Sequence, residues 1–260
     1  MDAMFDSILE DPEVCVTIDE WATPATAYPA RRIGDHRIRR HRYGRGFYRM
    51  SGLDDKALFQ VTRGHSLPIT CLEQRRIGGG WHTWMVDDPP HWKAMEVYAA
   101  AARGPVLCAG LGLGLIQHAL AANPAVEYVL TVEREAAVIE LVNPLLPHPR
   151  KELRTIEADW RGVMFGDLDA VEEDWGMIVV DLWVTGNMRE KYAALGDAAP
   201  MAVRLRERWP NATLVFHGFT PLSDVKWPIS DKTREVMALL AHGDHWPNQA
   251  IRGGASWYPR

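Results

Sequence analysis

No stretch of this chain stays apolar for the roughly 20 residues that a bilayer-spanning helix needs, so no such span is expected. Cysteine is scarce: Cys15, Cys71 and Cys108 are the whole complement. Odd in number and far apart, they suggest neither a disulfide framework nor a zinc site. No metal is therefore expected, and a reducing, cytoplasmic setting is. Positive charge is not in excess either. Lys and Arg total 29 against 34 Asp and Glu, a net charge of −5, which gives no overall attraction to nucleic acid or to an anionic membrane. The opening residues, MDAMFDSILEDPEV, lack the basic start and apolar core of a secretory signal. Tryptophan, by contrast, is frequent, at 11 of 260 residues, and 47% of the chain is hydrophobic, as in ordinary globular proteins. The length allows one large domain, or one with a small companion.

The most informative stretch is Pro105 to Glu133, PVLCAGLGLGLIQHALAANPAVEYVLTVE. Val106 to Ala109 reads as a buried strand. It enters Gly110-Leu-Gly112-Leu-Gly114, and Leu115 to Ala122 then has a helical pattern that stops at Asn123-Pro124. A second apolar run, Val126 to Val132, ends at Glu133. A loop without Cβ atoms lets a ligand approach the backbone, and the helix behind it aims free N–H groups at that ligand. A carboxylate at the second strand's tip suits the hydroxyls of a ribose. The unit therefore implies a nucleoside-containing ligand. Leu115 follows Gly114, so the spacing is G-x-G-x-G and not the dinucleotide G-x-G-x-x-G/A. Together with the lack of a Tyr-x-x-x-Lys pair, this disfavours an NAD-dependent reductase.

Short strands are expected at Val14–Ile18, Leu58–Thr62, Pro68–Glu73 and Trp81–Val86, with Gly78-Gly79-Gly80 connecting the last two. Residues 31–49 carry Arg31, Arg32, Arg37, Arg39, Arg40, Arg42, Arg45 and Arg49, and part of the segment alternates, which predicts a hairpin with turns at Gly44 and Gly46. The arginines suit either an anion contact or a solvated face paired with acids elsewhere. Residues 1–86 thus read as a small antiparallel β-rich domain and 87–260 as an α/β domain. At the boundary Asp88 suits a helix cap with Pro89 behind it, the helix running from about His91 to Ala102. Further helices are expected at Arg134–Leu146 and Ala198–Arg208, and strands at Leu153–Glu157, Met177–Val180 and Thr213–Phe216. The final residues, 243–260, give no clear pattern. Strand–helix alternation implies a mostly parallel sheet with helices on both faces. Ligands of such sheets lie beyond the carboxyl ends of the strands, where Gly110, Glu133, Asp159, Asp181 and His217 all fall.

These residues resemble the class I S-adenosylmethionine-dependent methyltransferases, and within them the spermidine-synthase branch. The resemblance spans about residues 85–220. It rests on Val106–Gly114, Val129–Glu133, Glu157-Ala-Asp-Trp160 and Ile178-Val-Val-Asp-Leu-Trp183, with a β-rich unit ahead of a Rossmann-like domain. It implies S-adenosylmethionine as cofactor. Gly110, Gly112 and Gly114 would pass under its methionine and ribose, Glu133 would accept both ribose hydroxyls, and Asp159 would accept the adenine amino group with Trp160 beside the ring. Asp181 would face the sulfonium and the acceptor as the catalytic group. Asp159 equally suits a helix cap, and Trp160 and Trp183 equally suit a core. Asp88-Pro-Pro-His91 resembles the [DNS]-P-P-[aromatic] element of methyltransferases acting on nucleic-acid amino groups, but it precedes the glycine loop instead of following a later strand.

Departures from the branch matter. An acid expected within the glycine loop is Leu113. A D-x-x-D element reduces here to Asp181 followed by Leu182, Trp183 and Val184, which removes acids that bind and deprotonate a polyamine. An acid common before the first glycine in methyltransferases is Cys108. The expectation is therefore methyl transfer to a small-molecule acceptor, with Trp183, His217, Asp88 and Trp92 as acceptor-side candidates. The alternatives are aminopropyl transfer or another reaction that consumes the cofactor, and a cofactor-binding protein without turnover. The N-terminal unit is suited to pairing across a two-fold axis, as a homodimer.

Overall fold

The computed structural model describes residues 15–18, 22–49, 58–61, 66–147, 152–165, 171, 173–183 and 188–217. Seven strands come first: β1 (Cys15–Ile18), β2 (Arg31–Ile33), β3 (His36–Tyr43), β4 (Gly46–Arg49), β5 (Leu58–Val61), β6 (Leu67–Arg75) and β7 (Trp81–Val86). Helix α1 (Pro89–Ala101) leads into β8 (Gly104–Ala109), α2 (Leu115–Ala122), β9 (Val126–Glu133), α3 (Ala136–Val142), β10 (Leu153–Glu157), α4 (Trp160–Phe165), β11 (Met177–Val180), α5 (Met188–Arg208) and β12 (Thr213–Phe216).

The last five strands form one parallel sheet in the order β10-β9-β8-β11-β12. Counted from β8 this is 3-2-1-4-5, a Rossmann-like α/β arrangement whose order reverses between β8 and β11. The short apolar runs become strands because both faces are covered. Val106 and Cys108 of β8 belong to a core shared with α1, α2 and α3, whereas Leu107 and Ala109 face a second core. That second core holds Trp160, Trp175, Met201 and Leu205.

Local chemistry explains the helix ends. Asp88 caps α1 by accepting the His91 N–H at 3.0 Å, with proline in the first turn. Asn123 ends α2, and its amide donates to the carbonyls of Ala99 and Ala102, which ties α2 to the end of α1. α5 begins ten residues before the expected Ala198 and carries Pro200 within it. The predicted helix at 134–146 is a shorter α3 followed by a 3₁₀ turn, Asn143–Leu145, because Pro144 has no N–H to continue the ladder. Among the described residues no helix is long and apolar enough to cross a membrane.

The first strands form two sheets. One is antiparallel, β2-β3-β6-β7; the other is β1-β5-β4, in which β1 pairs with β5 in parallel. The glycine connection between β6 and β7 is a hairpin as expected. The hairpin expected across Gly44 and Gly46 is not formed: β3 pairs with β2 and β6, whereas β4 pairs with β5. The true partner of β3 is β2, through a turn at Gly34-Asp35 whose Gly34 has φ of +53°. The arginines are largely used within the molecule. Arg37 and Arg39 meet buried Glu73, Arg32 and Arg37 lie on Trp81, Arg31 reaches Glu140, and Arg40 donates to the Tyr28 carbonyl.

Tyr28 fastens the segment ahead of β2 to the α/β sheet. The Tyr28 hydroxyl donates to the Leu113 carbonyl at 3.1 Å and lies 2.7 Å from His118 Nε2 on α2. Burial drops the His118 pKa to about 4. Between that value and the ordinary histidine value of about 6.5, the unfolded chain takes up a proton that the folded chain does not. Stability is therefore expected to fall as pH drops from about 6.5 toward 4. His118→Gln, which does not titrate, is expected to flatten that slope in urea unfolding at stepped pH. Equal slopes in the two proteins would exclude His118 as the cause.

Candidate active site

The carboxyl ends of the sheet are set in line by backbone bonds that continue its ladder. Gly110 N–H donates to Val132 O, Ala158 N–H to Glu133 O, Asp181 N–H to Ala109 O and His217 N–H to Val180 O. The residues just past the strands thus share one edge, and a cleft opens there. Gly110, Gly112, Glu133, Asp159, Trp160, Asp181 and Trp183 all line it, with Trp84 and Met85 of β7 forming part of its wall.

The glycine bend is required by its surroundings. Gly110 has φ of +96°, and a Cβ there would collide with the Asp181 carbonyl oxygen. The ends of β8 and β11 approach this closely only because position 110 has no side chain. Gly114 is the left-handed residue that starts α2, at φ 72°, packed under Leu146, Val142 and Tyr28. It supports the loop from behind and is not among the residues lining the cleft. Across from Gly112 stands Met85, whose sulfur accepts the Leu113 N–H at 3.1 Å.

Glu133 is 9% exposed. Its Oε2 accepts the Leu111 N–H at 2.9 Å and its Oε1 accepts the Glu135 N–H at 2.9 Å. Each oxygen keeps a lone pair for a further donor. Asp159 is exposed and accepts the Arg161 N–H at 2.8 Å, so it caps α4 while facing the cleft. Trp160 is 3% exposed, and its indole N–H donates to the Met201 sulfur. Most of its ring belongs to the core.

The Asp181 side chain is 13% exposed. Burial raises its pKa, and the charge of His217 partly opposes the rise. His91 Nε2 lies 3.8 Å from its Oδ2. Burial, and then the charge of His217, pushes the His91 pKa well below the ordinary value, so His91 is neutral at pH 7 and the contact is not an ion pair. His217 stacks on His91 with centroids 4.6 Å apart, and its Nδ1 lies 3.2 Å from the Tyr98 hydroxyl. Trp183 stacks on Phe216 at 6.3 Å. Buried Cys108 is held as a thiol, its pKa raised by burial and then by Asp181.

Two acceptor-side candidates lie elsewhere. Asp88 is 4% exposed and is used as the cap of α1. Trp92 packs on the core and lines a separate depression with Glu96, Arg103 and Pro147. His91, Tyr98 and Met85 were not singled out from the sequence as site residues. His91 and Tyr98 are seven apart, two helical turns, so a shared face of α1 was readable; what that face meets was not. Gly176 was also missed: a Cβ there would strike the Arg103 carbonyl.

No protein-family model matches the chain, and no curated protein matches it. Weak likeness to solved structures is found. A TehB-like SAM-dependent methyltransferase from Corynebacterium glutamicum is 19% identical over 56% of this chain and 71% of that one, with a TM-score of 0.35. A dimethyladenosine transferase from Plasmodium falciparum is 20% identical over 50% and 42%, with a TM-score of 0.34. The CcbJ methyltransferase from Streptomyces caelestis is 20% identical over 49% of each chain, with a TM-score of 0.33. The match spans half or less of the latter two proteins. Scores this low decide nothing, and the fold stands on its own strand order and register.

The close approach at Gly110 can be separated from its backbone angle. Gly78 has a similar φ of +90° but open space around it. Gly78→Ala is expected to cost about 1–2 kcal/mol for the dihedral alone. Gly110→Ala should cost that and about 1–3 kcal/mol more for the collision. Urea unfolding of both variants measures the difference, and equal costs would show that the Asp181 carbonyl yields freely.

Proposed function

We propose that the chain is an S-adenosylmethionine-dependent methyltransferase acting on a small-molecule acceptor. The observation that carries this reading is the Glu133 carboxylate fixed against the glycine bend, inside a cleft at the point where the strand order reverses. A nucleoside laid there meets a bend without Cβ atoms at Gly110 and Gly112 and a pair of oxygens with lone pairs left for two ribose hydroxyls. Asp159 and the edge of Trp160 border the same cleft, where an adenine would lie. The residues present fit the cofactor.

When bound, S-adenosylmethionine supplies a methyl group on a cationic sulfur; transfer to an acceptor lone pair returns the carbon–sulfur electron pair to sulfur, leaving a thioether. The chain's task is alignment and exclusion of water. Asp181, with its pKa raised by burial, is placed to take the proton that the acceptor gives up. His217 is a second base within the same group. Trp183 offers a ring face for the acceptor or for the sulfonium charge. Leu113 and the Leu182-Trp183-Val184 sequence lack the acids that bind and deprotonate a polyamine in aminopropyl transfer, which favours methyl transfer.

Calorimetry with S-adenosylmethionine is expected to show one binding site, with no binding of NADH. Glu133→Ala should weaken it by roughly 100-fold, the value of charged hydrogen bonds lost to the ribose, and Glu133→Gln by less. Asp181→Asn should leave the affinity nearly unchanged but slow release of S-adenosylhomocysteine, with a small-molecule extract as acceptor source, by about 10²-fold or more. Unchanged affinity in Glu133→Ala would remove the basis of the proposal. Turnover with decarboxylated cofactor and polyamines, but not with S-adenosylmethionine, would replace methyl by aminopropyl transfer.

A further inference from the structure

Three side chains with metal-binding atoms converge beside the cleft. His91 comes from the first turn of α1, Asp181 from the end of β11 and His217 from the end of β12. One donor atom of each lies within 4.8 Å of the others. The group is not satisfied internally. His91 Nε2 is buried and has no hydrogen-bond partner, although it points toward Asp181 Oδ2. His91 Nε2 and Asp181 Oδ2 stand 3.8 Å apart, beyond hydrogen-bond distance. A partly buried carboxylate is stabilised where a metal ion meets it, and an imidazole nitrogen beside it offers a lone pair to the same ion.

The third member is already oriented. The Tyr98 hydroxyl holds His217 at Nδ1, which leaves Nε2 as the ring atom for a ligand. A ligating histidine ordinarily has such an outer partner on its other nitrogen. Two imidazoles and one carboxylate are a donor set for zinc, iron or nickel. Ligand bonds of about 2.0–2.2 Å would draw the three donors inward from their present spacing.

We infer that His91, Asp181 and His217 form a binding site for a divalent first-row transition ion. Cysteine spacing gave no hint of it, because no cysteine takes part and the three ligands come from distant parts of the chain. Three protein ligands leave open positions on the ion. Its use rests on the methyltransferase reading: Asp181 also lines the cofactor cleft, so the ion would stand at the acceptor end. There it favours an acceptor that offers a hydroxyl oxygen, which it would hold and acidify; with the ion bound, Asp181 and His217 serve as its ligands and not as the bases that take the acceptor's proton.

The test uses the full chain, stripped with chelator and without S-adenosylmethionine. Calorimetric titration with Zn²⁺, and metal analysis after dialysis, are expected to give a single equivalent. His91→Gln and His217→Gln should each weaken binding by more than the roughly 10–100-fold expected for Tyr98→Phe, which removes only the outer partner. Co²⁺ in place of Zn²⁺ should give a visible absorption that changes in each variant. Circular dichroism melts check folding; should the Gln variants not fold, Tyr98→Phe and the Co²⁺ spectrum decide. No retained ion in the unaltered chain, or equal retention in all variants, would overturn the site. Because the cofactor is absent from the titration, that failure leaves the Glu133 result untouched, and the reverse also holds.

Discussion

Glu133 ends a buried strand with its carboxylate inside the protein, and two backbone N–H groups meet it there. One belongs to the glycine bend after β8, the other to the turn before α3. A charged acceptor makes such bonds short and strong, and without them the buried charge would be untenable. The pair of bonds sets where the bend lies relative to the tip of β9. The floor of the cleft, the start of α3 and the neighbouring position of Asp181 all follow from that placement.

The glycine bend is also held from the N-terminal side. Tyr28 reaches the Leu113 carbonyl and Met85 accepts the Leu113 N–H, so both polar groups of one loop residue are bound by residues ahead of the α/β sheet. That segment is therefore part of how the cleft is built. Its arginines pair with Glu73, lie on Trp81 and reach Glu140.

Much of the α/β sheet was legible because its signals are local. The runs at Val106, Val126, Met177 and Thr213 are short, apolar and bounded by breakers, and all became parallel strands. Asp88 and Pro89 announced the start of α1. The failures share one cause. Alternation at Arg40–Met50 shows that strands exist but not which strands pair, and β3 and β4 went to different sheets. α5 starts ahead of its clearest periodic stretch. The roles of Asp88 as the cap of α1 and of Trp92 in the wall of a separate depression likewise depend on packing and not on neighbours in sequence.

The sequence by itself determined which residues lie at the ends of the parallel strands, since period, breakers and strand–helix alternation are properties of neighbours along the chain. On those grounds Gly110, Glu133, Asp159 and Asp181 could be assigned to one edge before any coordinates. Only the tertiary structure decided what each of them meets. That Glu133 binds Leu111, that Gly110 lies under the Asp181 carbonyl, and that His91 comes to face Asp181 and His217 are contacts across long stretches of chain. They depend on strand order and on the turn of α1 about its axis, and a one-dimensional pattern carries neither.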